Sequence, residues 1–372
     1  MVTLIDKRAN YAPELAPALP PRHEHGRGAR SNASGRYEKH HRYVFDDGWD
    51  SLDDLPPLRT EVFPEVAKKI ITRNDSPDIS FDRSINPYRG CEHGCTYCFA
   101  RPAHAYAGLS PGIDFESKLF AKVNAAERLR EELADPAYSP ATIALGVNTD
   151  AYQPIERTYR ITRQILEVLN ECNHPVGLIT KSALILRDID ILKEMAGKNL
   201  VKVAISITTL DPKLARAMEP RASTPRKRLH TLEVLSGAGI PTTVMVAPVI
   251  PALNDTEIES ILKAASAAGA EGAGYVLLRL PLEVRDIFRE WLMKEMPDRA
   301  AHVLSLVRST REGKDYDSTW GRRMRGTGPY AWSIGRRFEL ACAKLKLNMQ
   351  KSRLEPAKFQ PPVLPGQQLP LL

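Results

Sequence analysis

Residues 91–98 read CEHGCTYC and place three of the chain's five cysteines in eight positions. Thiolates are soft ligands suited to zinc or iron–sulfur clusters, and C-x3-C-x2-C in one short loop can wrap three of them onto one face of a cluster. A structural zinc site normally closes four ligands, and no fourth cysteine lies nearby. The residues leave three arrangements open. His93 or His104 completes a Cys3His zinc site; a structural iron–sulfur cluster recruits a distant fourth ligand; or one iron of a [4Fe-4S] cluster stays open, as a catalytic metal site requires.

Working outward from the loop, short β-branched runs alternate with helical patterns. TIALGV (142–147), VGLIT (176–180), VKVAISI (201–207), TTVMVAPVI (242–250) and GYVLL (274–278) follow it, and DISFDRSINPYRG (78–90) before it supplies one more strand. Between them Ile161, Ile165, Leu169 and Cys172 fall on one helical stripe, Ile185, Ile189, Leu192 and Met195 on another, and Ile258, Ile261, Leu262 and Ala265 on a third after the capping-type start NDTE. Strand-to-strand spacing of about 25 to 35 residues suits right-handed βα crossovers. The expected fold is α/β, an open six-stranded (βα) barrel, with a doubly wound sheet as the competing architecture. Either places a site at the carboxyl ends of the strands.

The flanks differ in composition. Residues 1–60 are basic and rich in Pro and Gly without periodicity, and read as disordered; 61–290 form the core; 291–350 read as a helical extension carrying the Arg- and aromatic-rich STWGRRMRGTGPYAWSIGRRF; 351–372 are a Pro-rich, loosely attached tail. That Arg-rich segment reads equally well as an anion- or base-binding surface or as helix packing with its arginines in water. A net charge of +7 and a pI near 9.1 favour a polyanionic partner such as nucleic acid. No basic segment leads into a long apolar one, and prolines interrupt the most apolar run, TTVMVAPVIPAL, so a cytoplasmic protein with no membrane span is expected. Cys172 and Cys342 sit on apolar helix stripes, the latter with Phe338, Leu345 and Met349, and read as buried small hydrophobes.

The cysteine loop, with Tyr97 before its third cysteine and βα repeats after it, resembles the radical S-adenosylmethionine superfamily. Within it NTDAYQPIE, ITKS, RDIDIL and IPALND resemble the group related to spore photoproduct lyase. The resemblance covers roughly residues 75–290. It implies a [4Fe-4S] cluster on Cys91, Cys95 and Cys98, whose open iron binds S-adenosylmethionine and whose electron splits it to a 5′-deoxyadenosyl radical. It also implies that Thr149 and Asp150 meet the methionine ammonium, Lys181 the carboxylate, Ser206 and Thr208 the ribose or methionine, and Ala247 and Tyr97 the adenine. A flavodoxin or ferredoxin would supply the electron. Two positions depart from the lyases, which carry a cysteine where Val147 stands and a tyrosine where Phe99 stands, so thymine-dimer reversal lacks its hydrogen relay. Nucleic acid is the first expectation for the substrate, a peptide or small metabolite the second. The competing class is a non-enzymatic nucleic-acid-binding protein with a structural zinc or iron–sulfur site.

Overall fold

The computed structural model describes residues 2–6, 27–38, 40–44, 58–349 and 353–364. Six parallel strands stand side by side in the order Arg83–Ile85, Ile143–Leu145, Val176–Thr180, Val201–Ser206, Thr242–Val249 and Gly272–Leu277. A seventh, Ile71–Arg73, pairs antiparallel with the first at the sheet edge. The order follows the chain without reversal, whereas a doubly wound sheet changes direction about an inner strand. Among the described residues the first and sixth strands share no ladder, so the barrel is open between them.

Helices cover the outer face. Ile161–Glu171, Ile189–Gly197, Pro225–Gly237 and Ile258–Ala267 follow the second to fifth strands. The expected stripes point inward: Ile161, Ile165, Leu169, Leu192, Met195, Ile258, Ile261 and Leu262 are all buried, each worth roughly 1.5–3 kcal/mol relative to exposure. Register then sets the site. Thr180 lies beside Ile205 and Ser206 beside Met245, so Lys181, Ser206 and Ala247 leave the sheet at nearly one level.

A small sheet brackets the cysteine loop. Tyr88–Arg89, just before Cys91, pairs antiparallel with Lys118–Lys122, which pairs in turn with Glu61–Glu65. Helices Val284–Glu295, Pro297–Ser309 and Gly328–Lys344 follow the sixth strand. Trp291 and Phe288 of the first of these share a core with Met218, Cys95 and Tyr97, so the carboxyl-terminal helices pack against the cysteine loop.

Several expectations change. Most of 1–60 lies outside the described residues, but 27–38 is no disordered tail: Arg27, Ala29 and Arg30 are buried. Residues 353–364 are likewise anchored. Phe359 packs on Tyr138 and His174, and the Gln360 amide donates to the Cys172 carbonyl. Asn254 does not cap the helix after NDTE; its amide donates to the Thr208 and Pro248 carbonyls and its oxygen accepts from the Ile250 amide, tying two strand-end loops together. Cys342 is buried as expected, whereas Met349 lies beyond the helix end and is exposed. Among the described residues no helix is long and apolar enough to cross a membrane.

Candidate metal and cofactor site

Gly90 and Gly94 take left-handed φ values of 73° and 66°, which let the chain turn sharply on either side of Cys91. Arg101 then fixes the loop from behind. Its Nε donates to the Cys95 carbonyl at 2.9 Å and one Nη to that of Gly94 at 3.1 Å, while Glu116 neutralises it in a fully buried ion pair. Glu116 also accepts the Gly28 and Ala29 amides, both at 2.8 Å, which seats the 27–38 segment on the loop. A Cβ on Gly28 would stand 1.7 Å from the Gly94 carbonyl oxygen, so backbone meets backbone there.

All five cysteines are free thiols. Burial pushes the pKa of Cys91, Cys95 and Cys98 up, for Cys91 with added effect from Asp150, Cys95 and Cys98, and Cys98 packs against both the apolar cluster that holds Cys91 and the one that holds Cys95. Two buried thiols and one half-buried one, Cys98, are soft donors of the kind an iron–sulfur core takes, and Lys181, Arg101 and Arg228 nearby partly offset the cost of ionising Cys95 and Cys98. The zinc alternative finds less support. His93 stands 3.4 Å from Asp150 Oδ2, and among the described residues no three His, Cys, Asp or Glu side chains, those of the cysteine loop included, are drawn in around a single ion.

Opposite the thiols, five of the expected residues meet in one polar cage. Lys181 Nζ donates to Ser206 Oγ at 2.6 Å and to the Ala247 carbonyl at 3.2 Å, and stands 5.8 Å from the Tyr97 ring centroid. The Thr208 hydroxyl lies 3.1 Å from the same carbonyl and 3.3 Å from the Tyr97 hydroxyl. Asp150 borders the cage, accepting from the Thr180 hydroxyl at 2.7 Å and the Lys181 amide at 2.8 Å. It also accepts the Tyr152 amide at 2.9 Å, the Asx turn its sequence context suggests. Burial opposes its charge, but His93, Thr180 and the Lys181 amide outweigh this and hold its pKa at about 2. Thr149 stands apart: its hydroxyl donates to the Tyr88 carbonyl at 2.8 Å, keeping only acceptor capacity.

Sequence reasoning missed Glu219. It is 2% exposed and binds Arg228, the Tyr97 hydroxyl and, at 2.6 Å, the Thr208 hydroxyl, with Lys181 Nζ 3.6 Å away. Against the cost of burial, Arg228 and Lys181 hold its pKa at about 2, so it is a carboxylate. It lies in the turn between helices Pro212–Met218 and Pro225–Gly237, where no periodicity marks a residue.

The two departures are also placed. Phe99 is 42% exposed and its ring lies 4.6 Å from the Arg279 guanidinium carbon. Val147 is half-buried after the second strand. In the Arg-rich segment Arg322, Arg323 and Arg337 pair with Glu312, Asp78 and Glu259, so much of its charge is spent on packing, while Trp320 and Trp332 are exposed.

Residues 85–265 match the model of the radical SAM superfamily. An uncharacterized protein of Mycobacterium tuberculosis is 38% identical over 232 residues, covering 62% of this chain and 68% of its own. The chain belongs to the radical SAM superfamily. Another uncharacterized protein, from Methanocaldococcus jannaschii, is 28% identical over 199 residues, covering 54% and 71%. Among solved structures, a spore photoproduct lyase superposes with a TM-score of 0.54 at 14% identity, covering 76% of this chain and 79% of that one. A form of that lyase with bound AdoMet and dinucleoside spore photoproduct gives 0.52 at 12% over the same shares. These likenesses show the radical SAM fold, and the cofactors of the superfamily are a [4Fe-4S] cluster and S-adenosylmethionine.

Proposed function

We propose that Cys91, Cys95 and Cys98 hold the [4Fe-4S] cluster and that Tyr97, Thr149, Asp150, Lys181, Ser206, Thr208 and Ala247 hold S-adenosylmethionine beside it. Together these groups supply reductive carbon–sulfur cleavage and a 5′-deoxyadenosyl radical that takes hydrogen from a substrate. The carrying observation is the juxtaposition of three free thiols, two buried and one half-buried, with a cage that contains both a cation and carboxylates. Lys181 is the group for a carboxylate: its ammonium is already aimed by Ser206 and the Ala247 carbonyl, so little rotamer entropy is lost on binding. Asp150, ionised at neutral pH, and the acceptor face of Thr149 complement an ammonium. Tyr97 is pinned by Glu219, which keeps the wall beside an adenine rigid. The 27–38 segment covers the loop beside Cys95 through the Gly28 and Ala29 amides, which donate to Glu116.

The electron donor in this reading is a flavodoxin or ferredoxin, the location is the cytoplasm, and the first substrate class is nucleic acid, supported by the net charge of +7. Val147 and Phe99 carry no labile hydrogen for the lyases' relay, so product radicals are quenched by another donor. Anaerobic reconstitution tests the proposal. The expected protein is brown, holds about four irons and four sulfides, and with dithionite and S-adenosylmethionine forms 5′-deoxyadenosine. A colourless protein with stoichiometric zinc and no 5′-deoxyadenosine overturns it. A Lys181→Met variant should keep its iron while binding S-adenosylmethionine about tenfold or more weakly, the loss of one charge-assisted pair.

A further inference from the structure

Arg279 follows the sixth strand, Gly272–Leu277, and so stands at the edge of the barrel's open side. Its guanidinium lies over Phe99, the residue next to Cys98, at 4.6 Å. Among the described residues it joins no ion pair. Its Nη1 has only the Met324 sulfur at 3.7 Å, and its Nε is buried without a partner.

Arg311 is the second unusual cation here. It is 1% exposed, its Nε is also buried without a partner, and its two Nη groups donate only to the carbonyls of Leu278 at 2.9 Å and Arg322 at 2.8 Å. Leu278 precedes Arg279, and the Leu277 amide donates to the Met324 carbonyl, so one stretch of backbone holds both arginines. Burial and the charge of Arg279 lower the pKa of Arg311; Tyr316 and Asp317 act in the other direction, but Asp317 is engaged by the Thr319 amide and forms no ion pair with either arginine. Two neighbouring guanidinium groups without a paired carboxylate are costly to bury. Of the other arginines of this region, Arg322 and Arg323 each have an acidic partner, and Arg325 lies over the Tyr275 ring, 5.2 Å from its centroid.

We propose that Arg279, backed by Arg311, is a phosphate-binding subsite that anchors a phosphate ester of the substrate at the barrel mouth, with the exposed part of the Phe99 ring that Arg279 does not cover left to contact a planar group attached to it. The proposal rests on the reading that this mouth receives the substrate. Two guanidinium charges match a phosphate better than a single carboxylate, and a planar guanidinium held on an aromatic face keeps its outer N–H groups free for two-point contact. Stacking on an exposed aromatic beside a phosphate contact suits a nucleotide unit and is independent of base identity.

The test uses the reconstituted full chain. Fluorescence anisotropy with a labelled single-stranded oligonucleotide compares wild type, Arg279→Met and Arg130→Met; Arg130 pairs with Glu171 on a distant helix and controls for the loss of one positive charge. Arg279→Met is expected to weaken binding about tenfold and to lower the salt slope by about one, with Arg130→Met changing affinity less than about twofold. In wild type, where no folding defect intervenes, inorganic phosphate and a 5′-mononucleotide should each protect Arg279 from phenylglyoxal, read by peptide mapping. An Arg279→Met protein that binds like Arg130→Met, a failure of phosphate to protect, or equal protection by an acidic peptide overturns the proposal. Wild type that forms 5′-deoxyadenosine without Arg279-dependent binding refutes this subsite alone. Protein with neither iron nor cleavage, yet protected by phosphate, refutes the cofactor reading instead.

Discussion

Replacing Glu219 by Gln removes one negative charge from the centre of the cage while keeping its shape. The carboxylate and its partner Arg228 are both buried, and breaking such a pair from one side costs roughly 3–5 kcal/mol because the remaining charge is stranded. A second route gives a similar figure. Holding the Glu219 pKa at about 2 rather than 4.5 corresponds to roughly 3 kcal/mol in favour of the charged form. Arg228 keeps its donors to the Ser223 and Ser206 carbonyls at 2.7 and 3.0 Å, which limits the damage to the lower part of that range. The expected loss is therefore about 3 kcal/mol, a fall in melting temperature of roughly 4 °C for a chain of 372 residues unfolding as one unit. Thermal and urea unfolding of Glu219→Gln, Arg228→Met and the double variant, all prepared anaerobically, measure it as a cycle. The double variant should recover about 2 kcal/mol relative to the sum of the singles. A coupling below about 0.5 kcal/mol would refute the reasoning, since the carboxylate would then be held by its hydroxyl partners alone.

Other perturbations probe the surroundings. His174 is buried between Tyr138 and Phe359, and burial lowers its pKa to about 4; the unfolded chain, with a value near 6.5, takes up the proton first, so stability is complete above about pH 6.5 and falls as pH drops toward 4, by up to about 3 kcal/mol. His174→Gln should flatten that slope in urea titrations at several pH values. Gly28→Ala, whose Cβ would meet the Gly94 carbonyl, should release the 27–38 segment and make it cleavable by trypsin at Arg30 or Arg36, whereas wild type resists. Ala in place of Cys91, Cys95 or Cys98 should abolish iron binding, while Cys172→Ala and Cys342→Ala keep full iron and lose only about 1 kcal/mol of stability from their small cavities.

The parts of the fold that follow from periodicity were readable in the sequence. Period 3.6 placed Ile165, Leu192 and Ile261 on the inner faces of their helices, and β-branched runs located strands two to six. The cage was readable only where a strand end announces it: Lys181 follows VGLIT, and Ser206 and Thr208 alternate along one strand. Glu219 and Arg101 were not, because each acts through side-chain contacts from a turn or a short 3-10 segment, where sequence spacing carries no directional information. Composition misled at both ends of the chain. Gly in 27–38 and Pro in 353–364 mark irregular backbone, yet Gly28 is there because only a bare backbone fits against Gly94, and Phe359 supplies the single aromatic needed to anchor its segment.

Charge organises the site more than shape does. The cage contains Lys181, Arg228, Asp150 and Glu219, two cations and two anions, so it is close to neutral before anything binds. A zwitterionic amino acid group can enter such a place without changing its net charge, each end exchanging one internal partner for one of its own. Across the open side, Arg279 and Arg311 form no ion pair among the described residues, and of the carboxylates only Asp317 acts on Arg311, from a distance. The balanced half suits a zwitterion and the unbalanced half an anion, so under the two proposals the ligands would be sorted electrostatically before any shape is read. Placing a carboxylate beside the arginines, as in Met324→Glu, should therefore weaken oligonucleotide binding about tenfold while leaving the affinity for S-adenosylmethionine within about twofold. Equal losses in both would mean that the two halves are not electrically separate.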